Sequence, residues 1–174
     1  MTQRPLTGEP LSLDLVNTRW VDRGHSVDLF DSPDGVASWL AEHHLAGDPG
    51  DVAAPLRQAR AALRRMLEQP GAAAEGDINE VLSHGAVRHE LRGTSARERY
   101  DVDPGWKPAW QAVKNYLELL ERQPTRIRRC AHPACVLYFY DTSRNGTRRW
   151  CSMDGCGSRT KAARHYQRHR PPAG

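Results

Sequence analysis

The four cysteines of this 174-residue chain, Cys130, Cys135, Cys151 and Cys156, fall in one window, "CAHPACVLYFYDTSRNGTRRWCSMDGCGSR". Their spacing, C-x4-C-x15-C-x4-C, makes two matched pairs, the pattern by which four thiolates hold one tetrahedral zinc ion. Catalytic zinc sites keep an open position for water or substrate, whereas four sulfurs close the coordination sphere. The expectation is therefore one structural Zn2+ and no enzymatic activity. His132, inside the first pair, is expected as a loop residue. His25, His43, His44, His84 and His89 lack metal-ligand spacing such as H-E-x-x-H.

Clustered thiols of this kind need a reducing compartment. The N-terminus, "MTQRPLTGEPLSLDLVNTRW", lacks the basic start and continuous apolar run of a secretory signal, and no stretch approaches the length of a membrane-spanning helix. A cytoplasmic protein with no membrane partner is expected. Charge is divided unevenly. Residues 122–174 hold 12 Lys and Arg against Asp141 and Asp154, a net +10, while residues 1–121 carry a net −6. Zinc bound by four thiolates would bring the tail to +8, still a field that attracts polyanions.

The elements that must position these groups can be read from periodicity and caps. In "LSLDLVNT" Leu11, Leu13 and Leu15 alternate with Ser12 and Asp14, which predicts a half-buried strand, and "SVDLF" is a second extended piece that could pair with it. "SPDGVASWLAEHHL" predicts a helix capped by Ser32 with Pro33 at its first position. Further helices are expected over "APLRQARAALRRMLEQ", over "DINEVLSHG" with Asp77 as cap, and over "PAWQAVKNYLELLERQ". "AVRHELRGTSARERYDVD" alternates around Gly93 and predicts a polar hairpin. Pro124 ends the last helix and "PTRIRR" leads into the cysteines, which places a boundary between a domain of residues 1–123 and a module of residues 124–174.

Within the module, "VLYFYDTSRNGTRRWC" has β-rich flanks around Asn145-Gly146, a strong two-residue turn signal. That register sets Tyr140 opposite Cys151 and puts Leu137, Phe139 and Trp150 on one face. Cys151 and Cys156 lie about 140° apart on a continuous helix, so they cannot share a metal from within one. Ser152 is a suitable N-cap, which leaves Cys151 at a strand end and Cys156 in the first turn of a helix. Knuckle, hairpin and helix around one zinc form a treble-clef-like finger. Along that helix Ser158, Lys161, His165 and Arg168 share the outward face with Arg164 beside them, and Arg144, Arg148 and Arg149 add cations from the hairpin.

At "RRCAHPAC", "FYDTSRNGTRRWCSM" and "CGSRTKAARHY" the chain resembles the CGNR zinc-finger family of bacterial proteins, and "LSLDLVNT" with the Trp39 helix is similar to the ABATE-like domain that precedes this finger. The resemblance implies a transcriptional regulator in which Cys130, Cys135, Cys151 and Cys156 hold zinc and the finger binds double-stranded DNA at the nucleoid. Ser158 stands where the family motif has asparagine. Cys156, Gly157 and Arg159 keep the rest of that motif, and Arg159 joins the expected nucleic-acid face.

The fold expected is α+β and predominantly helical, a helical N-terminal domain with short strands plus a treble-clef-like finger. Its function would be zinc-dependent DNA binding, with a body that senses a small-molecule effector or forms a homodimer. Asp14, Asn17, Thr18 and Arg19, at a strand end, are candidate ligand-binding residues, although turn formation explains such a cluster equally well. The alternative is an RNA-binding or protein-docking finger, with Tyr138 and Tyr140 stacking on unpaired bases.

Overall fold

Local signals in the chain set most of the helix starts. A computed structural model of the protein describes residues 4–161. In chain order its elements are α1 (Leu11–Val16), β1 (Arg19–Asp22), β2 (His25–Asp28), α2 (Pro33–Glu42), α3 (Pro49–Glu68), α4 (Ala72–Ser83), β3 (Gly85–Arg92), β4 (Ser95–Val102), α5 (Lys107–Arg122), β5 (Ile127–Arg129) and β6 (Tyr138–Tyr140). A π-type turn over Met153–Gly157 follows, and residues 158–161 are helical. The strands form three separate antiparallel pairs, β1–β2, β3–β4 and β5–β6. The fold is α+β and predominantly helical.

Ser32 caps α2 as expected, its Oγ accepting the Gly35 N–H at 3.2 Å. Gly35 admits no side chain, because a Cβ there would lie 1.7 Å from the Leu29 carbonyl oxygen. α3 begins earlier than expected, at an Asp48 cap whose carboxylate accepts from Gly50 N at 2.8 Å. α4 also begins earlier, so Asp77 is not a cap; it lies within the helix and pairs with Arg65 of α3 at 2.8 Å.

The expected strand over Leu11–Leu15 is instead a helix. Ser12 and Asp14 are as fully buried as Leu13 and Leu15 beside them, all at 0% exposure, so the segment has no polar face to show to water. A helix satisfies its own backbone there, and the polar side chains find internal partners. Ser12 N and Oγ donate to Asn115 Oδ1 at 3.1 and 3.0 Å. Asp14 Oδ1 accepts from Trp39 Nε1 and bonds His43 Nε2, both at 2.9 Å, and is also paired with Arg4. Burial alone would push the Asp14 carboxyl up, but the bonds to His43 and Arg4 outweigh it and hold it below the usual carboxylate range. The second extended piece does form as β2, but its partner is β1, with Trp20 opposite Val27.

α1 is enclosed by α3, α5 and β6. Around it lies the main core, including Leu13, Leu15, Phe30, Trp39, Leu56, Leu63, Val113 and Leu119. Tyr138 of β6 belongs to this same core, so an aromatic from the cysteine module is packed in the helical body. No described helix is long and apolar enough to cross a membrane.

Candidate metal centre and basic face

Cys130 and Cys135 flank the tip of the β5–β6 hairpin. β5 runs into Cys130, whose N–H donates to Leu137 O at 2.9 Å, and the chain turns back as Cys135 N donates to His132 O at 2.9 Å. His132 is a loop residue whose Nδ1 accepts from Ala134 N. In the second pair Ser152 is the expected cap, but Cys151 lies in a loop and not at the end of a strand. Ser152 Oγ accepts from Gly155 N at 2.9 Å, and Cys156 falls in the turn that follows. A side chain at Gly155 would come within 2.6 Å of that hydroxyl, so the glycine is what admits the cap.

The four Sγ atoms lie within 4.8 Å of one another and all four residues are buried. Cys135 to Cys151 is 3.8 Å and Cys151 to Cys156 is 3.6 Å between sulfurs. A tetrahedral ion with Zn–S bonds of about 2.3 Å requires S···S edges of about 3.8 Å. The donor set therefore suits one zinc ion. Two donors outside the sulfur set point at it, Cys151 N to Cys130 Sγ at 3.4 Å and Arg159 Nη2 to Cys156 Sγ at 3.3 Å. Such donors orient thiolates and spread their charge. Hydrogen bonds from Cys135 and Cys151 lower the Cys130 thiol and favour its thiolate. The bond to Cys130 in turn pushes Cys135 up to about 12, and the bonds to Cys130 and Cys135 raise Cys151 as well. A dication replaces those protons when it binds.

The hairpin expected around Asn145-Gly146 is not formed. β6 pairs with β5, with Ile127 opposite Tyr140 and Arg129 opposite Tyr138, and Tyr140 does not face Cys151. Gly146 does adopt the positive φ of a turn, +61°, but the segment from 141 to 148 is organised by the Asp141 carboxylate. Asp141 Oδ1 accepts from Ser143 N and Oγ at 2.9 and 2.6 Å, and Oδ2 accepts from Arg148 N at 3.0 Å. These bonds close a loop in place of a strand ladder. Leu137, Phe139 and Trp150 nonetheless share one cluster with the four cysteines, as the apolar pattern implied.

The body contributes to this cluster directly. Trp20 of β1 is 3% exposed and packs among Cys130, Cys135, Cys151 and Cys156. Asn17, at the C-terminus of α1, pairs its whole amide with the Tyr138 backbone: Nδ2 donates to Tyr138 O at 2.8 Å and Oδ1 accepts from Tyr138 N at 2.9 Å. Glu9 Oε2 accepts from Tyr140 N at 2.8 Å, and its Oε1 pairs with Arg148 at 3.2 Å. One edge of β6 is thus bonded to β5 and the other is met by two side chains of the body. Nothing in the sequence around Asn17 or Glu9 signals this. Asp141-x-Ser143 was legible, since an aspartate that bonds the backbone two residues on is a local turn motif.

The structure separates the residues expected on a nucleic-acid face. Arg144, Arg149, Ser158, Arg159 and Lys161 are exposed. Arg148 is not free for such a face. Its guanidinium lies 4.2 Å from the Phe139 ring centre and donates to the carbonyls of Trp150 and Cys151 as well as to Glu9. Arg164, His165 and Arg168 lie outside the described residues. Tyr138, 3% exposed in the body core, offers no open ring for stacking bases, and Tyr140 is half-buried against the same core.

Three of the four candidate ligand-binding residues, Asp14, Asn17 and Thr18, are buried and bonded within the fold. Asp14 and Asn17 are engaged as described, and Thr18 donates to Leu15 O at 2.7 Å and accepts from Arg60 at 2.8 Å. Arg19 is exposed and reaches Ser26. The first three hold the fold together because a fully buried helix must satisfy every polar group internally.

Fold and site define a zinc-finger protein in which a helical body carries a four-cysteine module. Residues 9–123 match the ABATE family model, described as "Putative stress-induced transcription regulator", and residues 126–169 match the model of the CGNR zinc finger. The chain belongs to the ABATE family and carries a CGNR zinc finger. Comparison with curated proteins gives no match.

Proposed function

We propose that this protein is a transcription regulator whose zinc-anchored finger binds double-stranded DNA, acting in the cytoplasm at the nucleoid. The observation that carries the reading is the distribution of charge on the finger. Arg144, Arg149, Arg159 and Lys161 are exposed, while Asp141, one of the module's two acids, is buried in its own loop at 1% exposure. A surface of nearly one sign is what phosphate binding uses and what solubility alone does not require. The metal is structural in this reading, because four sulfurs leave no coordination position for a reacting water, and no catalytic role is assigned. Burial of Tyr138 argues against the RNA-stacking alternative.

Fluorescence titration of duplex and single-stranded DNA at several salt concentrations tests the proposal. If about four cations neutralise phosphates, the log-log salt slope is near −3.6, a loss of about a hundredfold in affinity for a fourfold rise in salt. Duplex should bind more tightly than single strands. Arg149→Ala should weaken all sequences alike and flatten the slope by about one unit. A slope near zero would overturn the reading and point to a protein partner.

A further inference from the structure

The β3–β4 hairpin takes no part in the metal centre or its basic face. Among the described residues its two strands of 8 residues each pair only with each other. It is exposed along most of its length, with Leu91 75% exposed and Val87 36%; Tyr100, 44% exposed, meets Trp110 edge-on. A two-stranded ribbon with both edges open is a template for another strand. Edges that avoid partners carry prolines, bulges or charges that repel a second copy. β3 has no proline, and its charges, Arg88, Glu90 and Arg92, are of both signs. Around His89 it reads Val87-Arg88-His89-Glu90-Leu91, with opposite charges on the two sides.

We propose that two copies of this chain associate through the β3 edge, antiparallel about a two-fold axis at His89. In that register Arg88 lies opposite Glu90 of the second copy, and Val87 opposite its Leu91, each pair occurring twice. Neighbouring registers fail on charge. Centring on Arg88 sets Arg88 against Arg88, and centring on Glu90 sets Glu90 against Glu90 and Arg88 against Arg92. A shift by one residue instead of two turns the side chains to opposite faces. On the β4 edge an axis at Arg97, Glu98 or Arg99 puts like charges face to face.

The hairpin's own register supports the choice. Arg88 sits directly opposite Arg99, a like-charge pair offset by Asp101, which contacts both arginines at 2.5 and 3.0 Å, and by Glu90, 3.5 Å from Arg99. Like charges directly opposite destabilise a strand pair, and Glu90 of a second copy would add a second counter-charge beside Arg88, whose partner in its own chain is Asp101. On the other face Val87 lies opposite Tyr100 and Leu91 opposite Ala96. The joined sheet therefore carries two unbroken apolar rows, Tyr100, Val87 and then Leu91 and Ala96 of the second copy. Such a dimer would present two fingers, which suits a two-fold symmetric DNA site.

Charge reversal on the full chain tests this. By sedimentation at micromolar concentration the wild type should have twice the 19.6 kDa chain mass. Arg88→Glu alone and Glu90→Arg alone should each weaken association at least about tenfold, since two attractive pairs become repulsive. An equal mixture of the two variants should restore the dimer. Across that mixed interface the glutamate introduced by R88E meets the arginine introduced by E90R, while the native Glu90 of the first chain meets the native Arg88 of the second. This rescue shows that neither variant has merely unfolded. A monomeric wild type, single variants that remain dimeric, or a mixture that stays monomeric would each overturn the proposal.

Discussion

Asn17→Ala should destabilise the finger and the body together. The Asn17 amide is 1% exposed and satisfies both the N–H and the C=O of Tyr138 at 2.9 and 2.8 Å. Removing it leaves a buried donor and a buried acceptor, each worth about 1–3 kcal/mol when left without a partner. Water entering the space would recover part of this, so the expected loss is about 3 kcal/mol. In a chain of this size 1 kcal/mol shifts Tm by roughly 2–4 °C, so the melt should fall by about 6–12 °C. Asn17→Asp is the sharper control. It has the same shape but sets a carboxylate oxygen against the Tyr138 carbonyl, and it should be no more stable than the alanine variant. Calorimetry of the zinc-loaded protein, with a chromogenic chelator following metal release, measures both. Release of zinc should move down in temperature with the melt, because Asn17 holds the strand that follows Cys135. An Asn17→Ala melt within about 2 °C of wild type would refute the argument and show that finger and body do not share their stability.

Zinc should bind at one per chain. Cys151→Ala should abolish tight binding and also lower the melt of the body, since Trp20 packs in the cysteine cluster and Tyr138 in the main core; metal analysis and a melt decide this, and an unchanged body transition would contradict it. Arg148→Ala should lower stability and leave the salt slope of DNA binding unchanged, in contrast to Arg149→Ala, because Arg148 is spent on Phe139, Glu9 and two carbonyls. Asp141→Asn should cost about 1.5–3 kcal/mol at neutral pH by turning an amide donor toward a backbone N–H. Although burial would raise the Asp141 carboxyl, its bonds to Ser143 and Arg148 N hold it below the usual range. The stabilisation is therefore present above about pH 4 and is lost as the pH falls through the folded-state value. Denaturant melts of wild type and variant should accordingly converge in acid.

Several features needed only the sequence because their causes are local. Four cysteines at matched spacing define a donor set whatever surrounds them, and Ser152 with Gly155 forces the break that brings Cys156 round to Cys151. Ser32-Pro33 starts a helix for the same kind of reason, and the polar alternation around Gly93 forms the β3–β4 ribbon. Tertiary structure decided wherever a pattern admits two environments. Leu11, Leu13 and Leu15 fit a strand with one wet face as well as a short helix buried on all sides, and only enclosure by α3, α5 and β6 selects the helix. Asn145-Gly146 invites a hairpin, but β6 can pair once on that side, and Ile127 to Arg129 occupy it while Asp141 gathers the loop. An arginine reads as a cation in any sequence. Whether it can meet phosphate depends on what faces it: Arg149 lies exposed over the Trp150 ring, whereas Arg148 is stacked on Phe139 and bonded to Glu9 and two carbonyls.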